Sequence, residues 1–261
     1  MERTLPNRLP QRPLILAFIG LGSFAFYMSL APFAGDPCYH NFADARPLLV
    51  IPNFADVISN LPFLFVGIFG LRHWLRHRPT EAPYSWLAFH LGVAGVAIGS
   101  AYYHWNPTDA TLVWDRLPMT VAFVGLSIAV LSELVHPAFD RHPLAPALLL
   151  GVGSVFYWYN AQDLRPYLWV QTLPLLIVPT TTVVFPKRYT HRRYLLFALA
   201  FYIAAKVGEN KDDEIFSLLG GVVSGHTLKH LLAACGCALI VIMLHKRRPV
   251  TADEPARNFQ G

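Results

Sequence analysis

The sequence predicts an all-α fold: a polytopic membrane helical bundle with a seven-helix core and an extra N-terminal transmembrane helix. Three observations predict it. Of 261 residues, 54% are hydrophobic and only 14% charged, with a mean hydropathy of +0.39, whereas soluble domains carry about 25% charged residues. The apolar residues are blocked into long runs, the pattern of membrane spans. The basic residues gather in short connections between those runs. The net charge of +5 and pI near 9.2 therefore belong to membrane-flanking loops, and no nucleic-acid partner is expected.

Eight apolar segments, 13–33, 54–75, 84–104, 117–135, 143–160, 167–185, 194–209 and 225–246, approach the length that crosses about 30 Å of hydrocarbon. The first follows Arg3, Arg8 and Arg12 in the manner of a signal peptide. It lacks a small-x-small cleavage site and is long, so it reads as a retained helix. The second begins in NFADVISNLPF, where Ser59 and Asn60 are expected to bridge helices. The third ends with Ser100 and His104, and Asp115 precedes the fourth. The fifth and seventh are the shortest. The eighth opens on HTLKH and contains Cys235 and Cys237, which read as small packing residues. With Cys38 these cysteines form neither a CxxC nor a zinc-knuckle spacing. The expected organisation is an N-terminal segment with the extra helix over 1–35, a seven-helix membrane domain over 36–248 and a flexible tail over 249–261.

Charge sets the orientation. Arg3, Arg8 and Arg12, then Arg72, Arg76 and Arg78, then Arg141, then Lys187, Arg188, Arg192 and Arg193, and finally Lys246, Arg247, Arg248 and Arg257 fall on one side of the eight segments. The other side has Arg46, Arg116, Arg165, Lys206, Lys211 and Lys229 beside Asp36, Asp44, Asp109, Asp163, Asp212, Asp213 and Glu214. By the positive-inside rule both termini are expected in the cytoplasm. Ser100, His104, Asp115, His226 and His230 then all lie on the outer side, periplasmic or luminal. Nothing in their residue types required this.

His226 and His230 stand four apart, so both imidazoles project from one face of a helix. That spacing lets two histidines chelate one metal ion. Ser100 and His104 repeat it on the third segment. Three imidazoles with a fourth position open make a catalytic zinc site, where a bound water ionises near neutrality. Asp115 is the carboxylate available to take that proton, and the Ser100 hydroxyl can donate to an oxyanion. Ionisable residues inside a membrane are costly and tend to be functional. The plainer alternative is that these groups hydrogen-bond helix ends or headgroups.

The pattern Ser100-x3-His104, Asp115 eleven residues later, and His226-x3-His230 opening the last helix resembles the alkaline ceramidase family. That family lies within a wider group of seven-helix membrane hydrolases that includes adiponectin-receptor relatives. NFADVISNLPF is similar to the family's N-x-x-S-N entry to its first core helix, with Asp56 in place of Asn. The resemblance covers roughly 36–246 and implies a zinc amidase that cleaves ceramide-like lipids into a fatty acid and a sphingoid base. It implies zinc on His104, His226 and His230, acid/base work by Asp115, and an oxyanion held by Ser100. Eukaryotic members also carry a calcium site. Asp36, Cys38 and Asn41 match that stretch, but Tyr39 and Asn53 stand where glutamates are expected. Calcium prefers charged oxygen ligands, so calcium is not expected here.

The remaining polar residues have plainer readings. His73, His77, His142, His191 and His245 fall with the basic residues and are expected to face headgroups. His90 and His104 are separated by fourteen residues, about 21 Å along a helix, so His90 is no ligand. Asp212, Asp213 and Glu214 read as a solvated loop, and Trp105 and Trp114 as an aromatic belt. Three other function classes remain open: a haem protein, a non-enzymatic receptor or channel, and a transporter. The i, i+4 pair disfavours the first, and polar groups near one surface rather than the midplane disfavour the last.

Overall fold

The computed structural model describes residues 11–250, and every regular element in that range is helical. In chain order these are α1 (Gln11–Ser29), α2 (Phe54–Ile58), α3 (Leu61–His77), α4 (Pro83–Trp105), α5 (Asp109–Leu134) and α6 (Ala138–Arg141). They are followed by α7 (Leu144–Ala161), α8 (Arg165–Val184), α9 (Arg193–Asn210), α10 (Asp212–Leu218) and α11 (Gly225–Lys246). Seven spans are long and apolar enough to cross a membrane: α1, α2–α3 together, α4, α5, α7, α8 and α11. The bundle is therefore polytopic and all-helical. α9 has the length, but its sequence includes Arg193, Lys206 and Glu209. The last two line an internal cavity, so its charge does not measure its exposure.

Two helix starts differ from the hydropathy reading for identifiable reasons. α5 begins at Asp109, eight residues before the expected 117, because Thr108 and Thr111 form a reciprocal capping box. Asp115 consequently lies inside α5 rather than before it. Asp115 and Arg116 interrupt the apolar window, yet both are buried. The second span breaks at Ser59–Asn60, where both side chains donate to the Asp56 carbonyl, at 3.1 and 2.8 Å.

α4 and α5 form the centre and are the most buried spans. Their axes approach closely through glycines. A Cβ on Gly92 would stand 2.5 Å from Ala122 N, and one on Gly125 would stand 2.6 Å from Phe89 N. Small residues are how membrane helices gain close packing without a hydrophobic drive. α3, α7 and α8 pack around this pair, and α9 packs along α11. α1 rests against α8, held by Tyr27 Oη to Thr172 Oγ1 at 2.7 Å and by Trp169 Nε1 donating to Ser23 Oγ at 3.2 Å.

The two ends are tied differently. At one end Asp140 accepts from Ser85 N and Ser85 Oγ, capping α4. Glu133 there accepts from Trp86 Nε1 and from both terminal nitrogens of Arg247, each at 2.6 Å. His73 stacks between His77 and His245, with ring centroids 4.3 and 3.8 Å away. These imidazoles meet one another rather than standing separately against headgroups. Pro249 and Val250 pair with Tyr189 and Arg188; the rest of the expected tail, and Arg3 and Arg8, lie outside the described residues.

At the other end, Arg165 binds Asp163 and donates to the Met28 and Leu30 carbonyls, fastening the chain after α1. That guanidinium holds the Asp163 carboxyl below its ordinary range. Gly125→Leu is expected to wedge α4 from α5 and lower stability by about 1–3 kcal/mol or more, read as a fall in the thermal midpoint in detergent. Gly153→Leu, where an added Cβ meets nothing within 4 Å, should change it little.

Candidate metal centre and adjoining cavity

The five site residues expected from sequence meet at one end of the bundle. His104 comes from the last turn of α4, Asp115 from the second turn of α5, and His226 and His230 from the first two turns of α11. Ser100 lies one turn before His104. All five are buried, none more than 6% exposed.

The three histidines each present a ring nitrogen within 4.8 Å of the others, and they are the only such His, Cys, Asp or Glu group among the described residues. His104 Nε2 and His226 Nε2 are 3.2 Å apart. His104 Nδ1 is buried with no hydrogen-bond partner. Rings with lone pairs turned on one another in a dry interior suit a shared cation. The donor set of three imidazoles fits a metal ion that prefers nitrogen.

Neighbours fix these rings. The Ser59 hydroxyl has one proton, which goes to the Asp56 carbonyl. Ser59 Oγ therefore accepts from His230 Nδ1 at 2.8 Å, which leaves a lone pair on Nε2. Asn53 Nδ2 donates to the His104 carbonyl at 2.8 Å. Phe42 lies against the rings of His104 and His226, with centroids 4.7 and 4.8 Å away.

The start of α11 is held from three elements. Ser224 caps it by accepting from Thr227 N at 2.9 Å. Asp56 of α2 accepts from Thr227 Oγ1 at 2.7 Å. Asp212 accepts from His226 N at 2.7 Å and from Ala43 N at 2.9 Å. Carboxylates beside a helix N-terminus also meet its dipole favourably. Asp212 thus belongs to the support of the site, not to a solvated loop. A Cβ on Gly225 would stand 2.2 Å from the Gly208 carbonyl, so glycine permits α11 to start this close to α9.

A cavity of about 240 Å³ begins beside this cluster. Its polar head is lined by Ser100, Asp115, Arg116, Glu209, Lys229 and His230, and its inner reach by Phe63, Phe89, Leu126, Leu195 and Ile240. Ser100 and Asp115 stand together at this head. From Ser100 to Phe89 along α4 is roughly 16 Å at 1.5 Å per residue.

Three cations that the sequence reading leaves on the outer side turn inward. Lys206 and Lys229 both pair with Glu209, and Lys229 Nζ also donates to His226 Nε2 at 2.7 Å. Tyr39 Oη donates to Glu209 at 3.0 Å. Burial pushes the Tyr39 phenol above its ordinary value, so it remains a donor. Arg116 lies 3.9 Å from the Trp158 ring centroid. Trp105 and Trp114, by contrast, are exposed, as rim or belt residues would be. Cys237 lines the cavity, while Cys235 is exposed on the opposite face of α11.

The family model for ceramidase matches residues 38–260 of this chain. No curated protein matches it. The geometry gives one direct expectation. Asp212→Ala removes the acceptor that joins Ala43 to His226 and should cost about 1–2 kcal/mol, seen as a lower unfolding midpoint in detergent.

Proposed function

The chain belongs to the ceramidase family, and from that premise we propose that it is a membrane-embedded zinc hydrolase that cleaves the amide of a ceramide-like lipid into a fatty acid and a sphingoid base. Membership makes it a hydrolase associated with membranes and lipid. The observation that carries the finer reading is the cluster of three buried imidazoles, one of which, His230, lines the head of an apolar cavity together with Ser100 and Asp115.

We assign His104, His226 and His230 as the metal ligands and zinc as the metal. Zinc takes three protein nitrogens in catalytic sites and keeps one position open. When bound it supplies Lewis acidity, polarising a carbonyl and acidifying water. Asp115 takes a proton from the attacking water and returns it to the leaving nitrogen. Ser100, one helical turn from His104 and beside Asp115, donates to the oxygen of the carbonyl under attack. The apolar reach of the cavity holds a hydrocarbon chain and keeps bulk water away from the amide. An extended chain with C–C bonds near 1.5 Å advances about 1.3 Å per carbon, so roughly 16 Å takes about twelve carbons.

The same reading assigns the seven-helix unit to 36–248, with α1 as an addition. It also puts both termini in the cytoplasm and the site on the outer side. The charge distribution along the sequence supports that sidedness.

Zinc analysis and lipid-amide hydrolysis should be run on wild type, His230→Ala and Asp115→Asn in detergent. About one zinc per chain is expected in wild type and in Asp115→Asn, and much less in His230→Ala. Both variants should lose activity by on the order of a hundredfold or more. Full activity in a metal-free His230→Ala protein would overturn the mechanism. Failure of every lipid amide with zinc present would reopen the substrate. For sidedness, cysteine introduced at Asp213 should react with an impermeant reagent only from outside the cell membrane; labelling only from within would reverse the orientation.

A further inference from the structure

Arg116 takes no part in the mechanism above, yet it is 6% exposed and lines the polar head of the cavity. A guanidinium so placed is costly unless its charge and its hydrogen bonds are both met. Its charge is met by aromatic faces: its Cζ lies 3.9 Å from the Trp158 centroid, 4.8 Å from Tyr167 and 5.7 Å from Tyr39. Stacked rings meet the face of a guanidinium. Its N–H donors lie in the plane, at the edge, and Nη1 is buried without an acceptor.

Neither nearby carboxylate pairs with it. Glu209 already receives Lys206, Lys229 and Tyr39. Asp115, the other carboxylate at the head, makes no ion pair with Arg116. Among the described residues the Arg116 guanidinium enters no ion pair. The head of the cavity therefore holds three cations, Arg116, Lys206 and Lys229, against two carboxylates, Asp115 and Glu209.

We infer that Arg116 binds an oxyanion, a carboxylate, phosphate or sulfonate, on the headgroup of the lipid amide, and so selects anionic lipids over neutral ones. The lipid class rests on the hydrolase reading above; the anion site rests on Arg116 itself. A planar guanidinium edge matches such groups with two parallel hydrogen bonds. The position also favours the amine half of the lipid. The carboxylate of the acyl half arises where Ser100, Asp115 and His230 already stand, whereas Arg116 projects from a different face of α5 toward α7 and α8.

The test uses the full chain in neutral detergent and three lipid amides of equal acyl length, with a neutral, a phosphate-bearing and a carboxylate-bearing headgroup. Wild type should favour at least one anionic lipid by about tenfold or more in kcat/KM, the worth of one charge-assisted hydrogen bond. Arg116→Gln should bring the ratio near one, with Arg116→Lys between. No preference in wild type, or a ratio unchanged in Arg116→Gln, overturns the inference. If Arg116→Gln does not fold, wild type alone decides. Dodecyl phosphate should raise its thermal midpoint and dodecanol should not; equal shifts overturn the site. That measurement needs no hydrolysis, so it separates failure of the anion site from failure of the hydrolase reading. Laurate inhibition that depends on Arg116, with no headgroup preference, would move the site to the released fatty acid and overturn the headgroup assignment.

Discussion

A polar cluster inside hydrocarbon must find its partners within the protein, because neither lipid nor bulk water will supply them. Much of this structure answers that constraint. Ser100 and His104 reach Asp115 because glycines let α4 and α5 lie almost backbone to backbone. His226 and His230 reach the same place because Asp56, Asp212 and Ser224 together hold the start of α11. Glu209 absorbs two lysines at once. Buried ion pairs of this kind seldom add stability over apolar packing; what they do here is place charge beside a cavity.

The two ends of the bundle show the difference between structural and functional polarity. At the Glu133 end the two strongest clusters are paired, Glu133 with Arg247 and Trp86, and Asp140 with Ser85 and Tyr84, although Glu81 Oε2 and His73 Nδ1 there have no partner. At the cavity end, His104 Nδ1 and Arg116 Nη1 are left without one. Satisfied groups lock helices together. Unsatisfied ones at the head of a cavity point to what the cavity takes in.

Much of this was legible before any coordinates. Long apolar runs announced the helices, and alternating loop charge grouped five residues on one side, where the structure joins them. What stayed hidden has a physical pattern. Hydropathy treats every charge as a loop signal, so Arg116, Lys206 and Lys229 read as outer-side charges when they line a cavity, and Asp115 reads as preceding α5 when it lies inside it. The Thr108–Thr111 box that starts α5 early is a local cap, visible in sequence to an eye not fixed on hydropathy. Ser59 bridges to α11 as expected, but its histidine partner and the role of Asp212 have no such signal. Both residues touch a histidine more than ten residues away in sequence, and only packing sets those distances. For Arg116, the aromatic box is assembled from α7, α8 and the stretch before α2, far from it in sequence.

The dependence of the histidine cluster on both ends of the chain has a consequence in time. His104 comes from α4, but His226 and His230 come from the last helix made, and Phe42, from near the start, lies across two of the three rings. A chain still leaving the ribosome through α9 has one imidazole of the three. It already has Asp115, Arg116 and Glu209 committed to the membrane, with no Lys229 to share the charge. Such an intermediate is unfinished electrostatically as well as structurally. A chain that ends before α11 therefore has neither the completed triad nor the helix start that Asp56 and Asp212 hold in place.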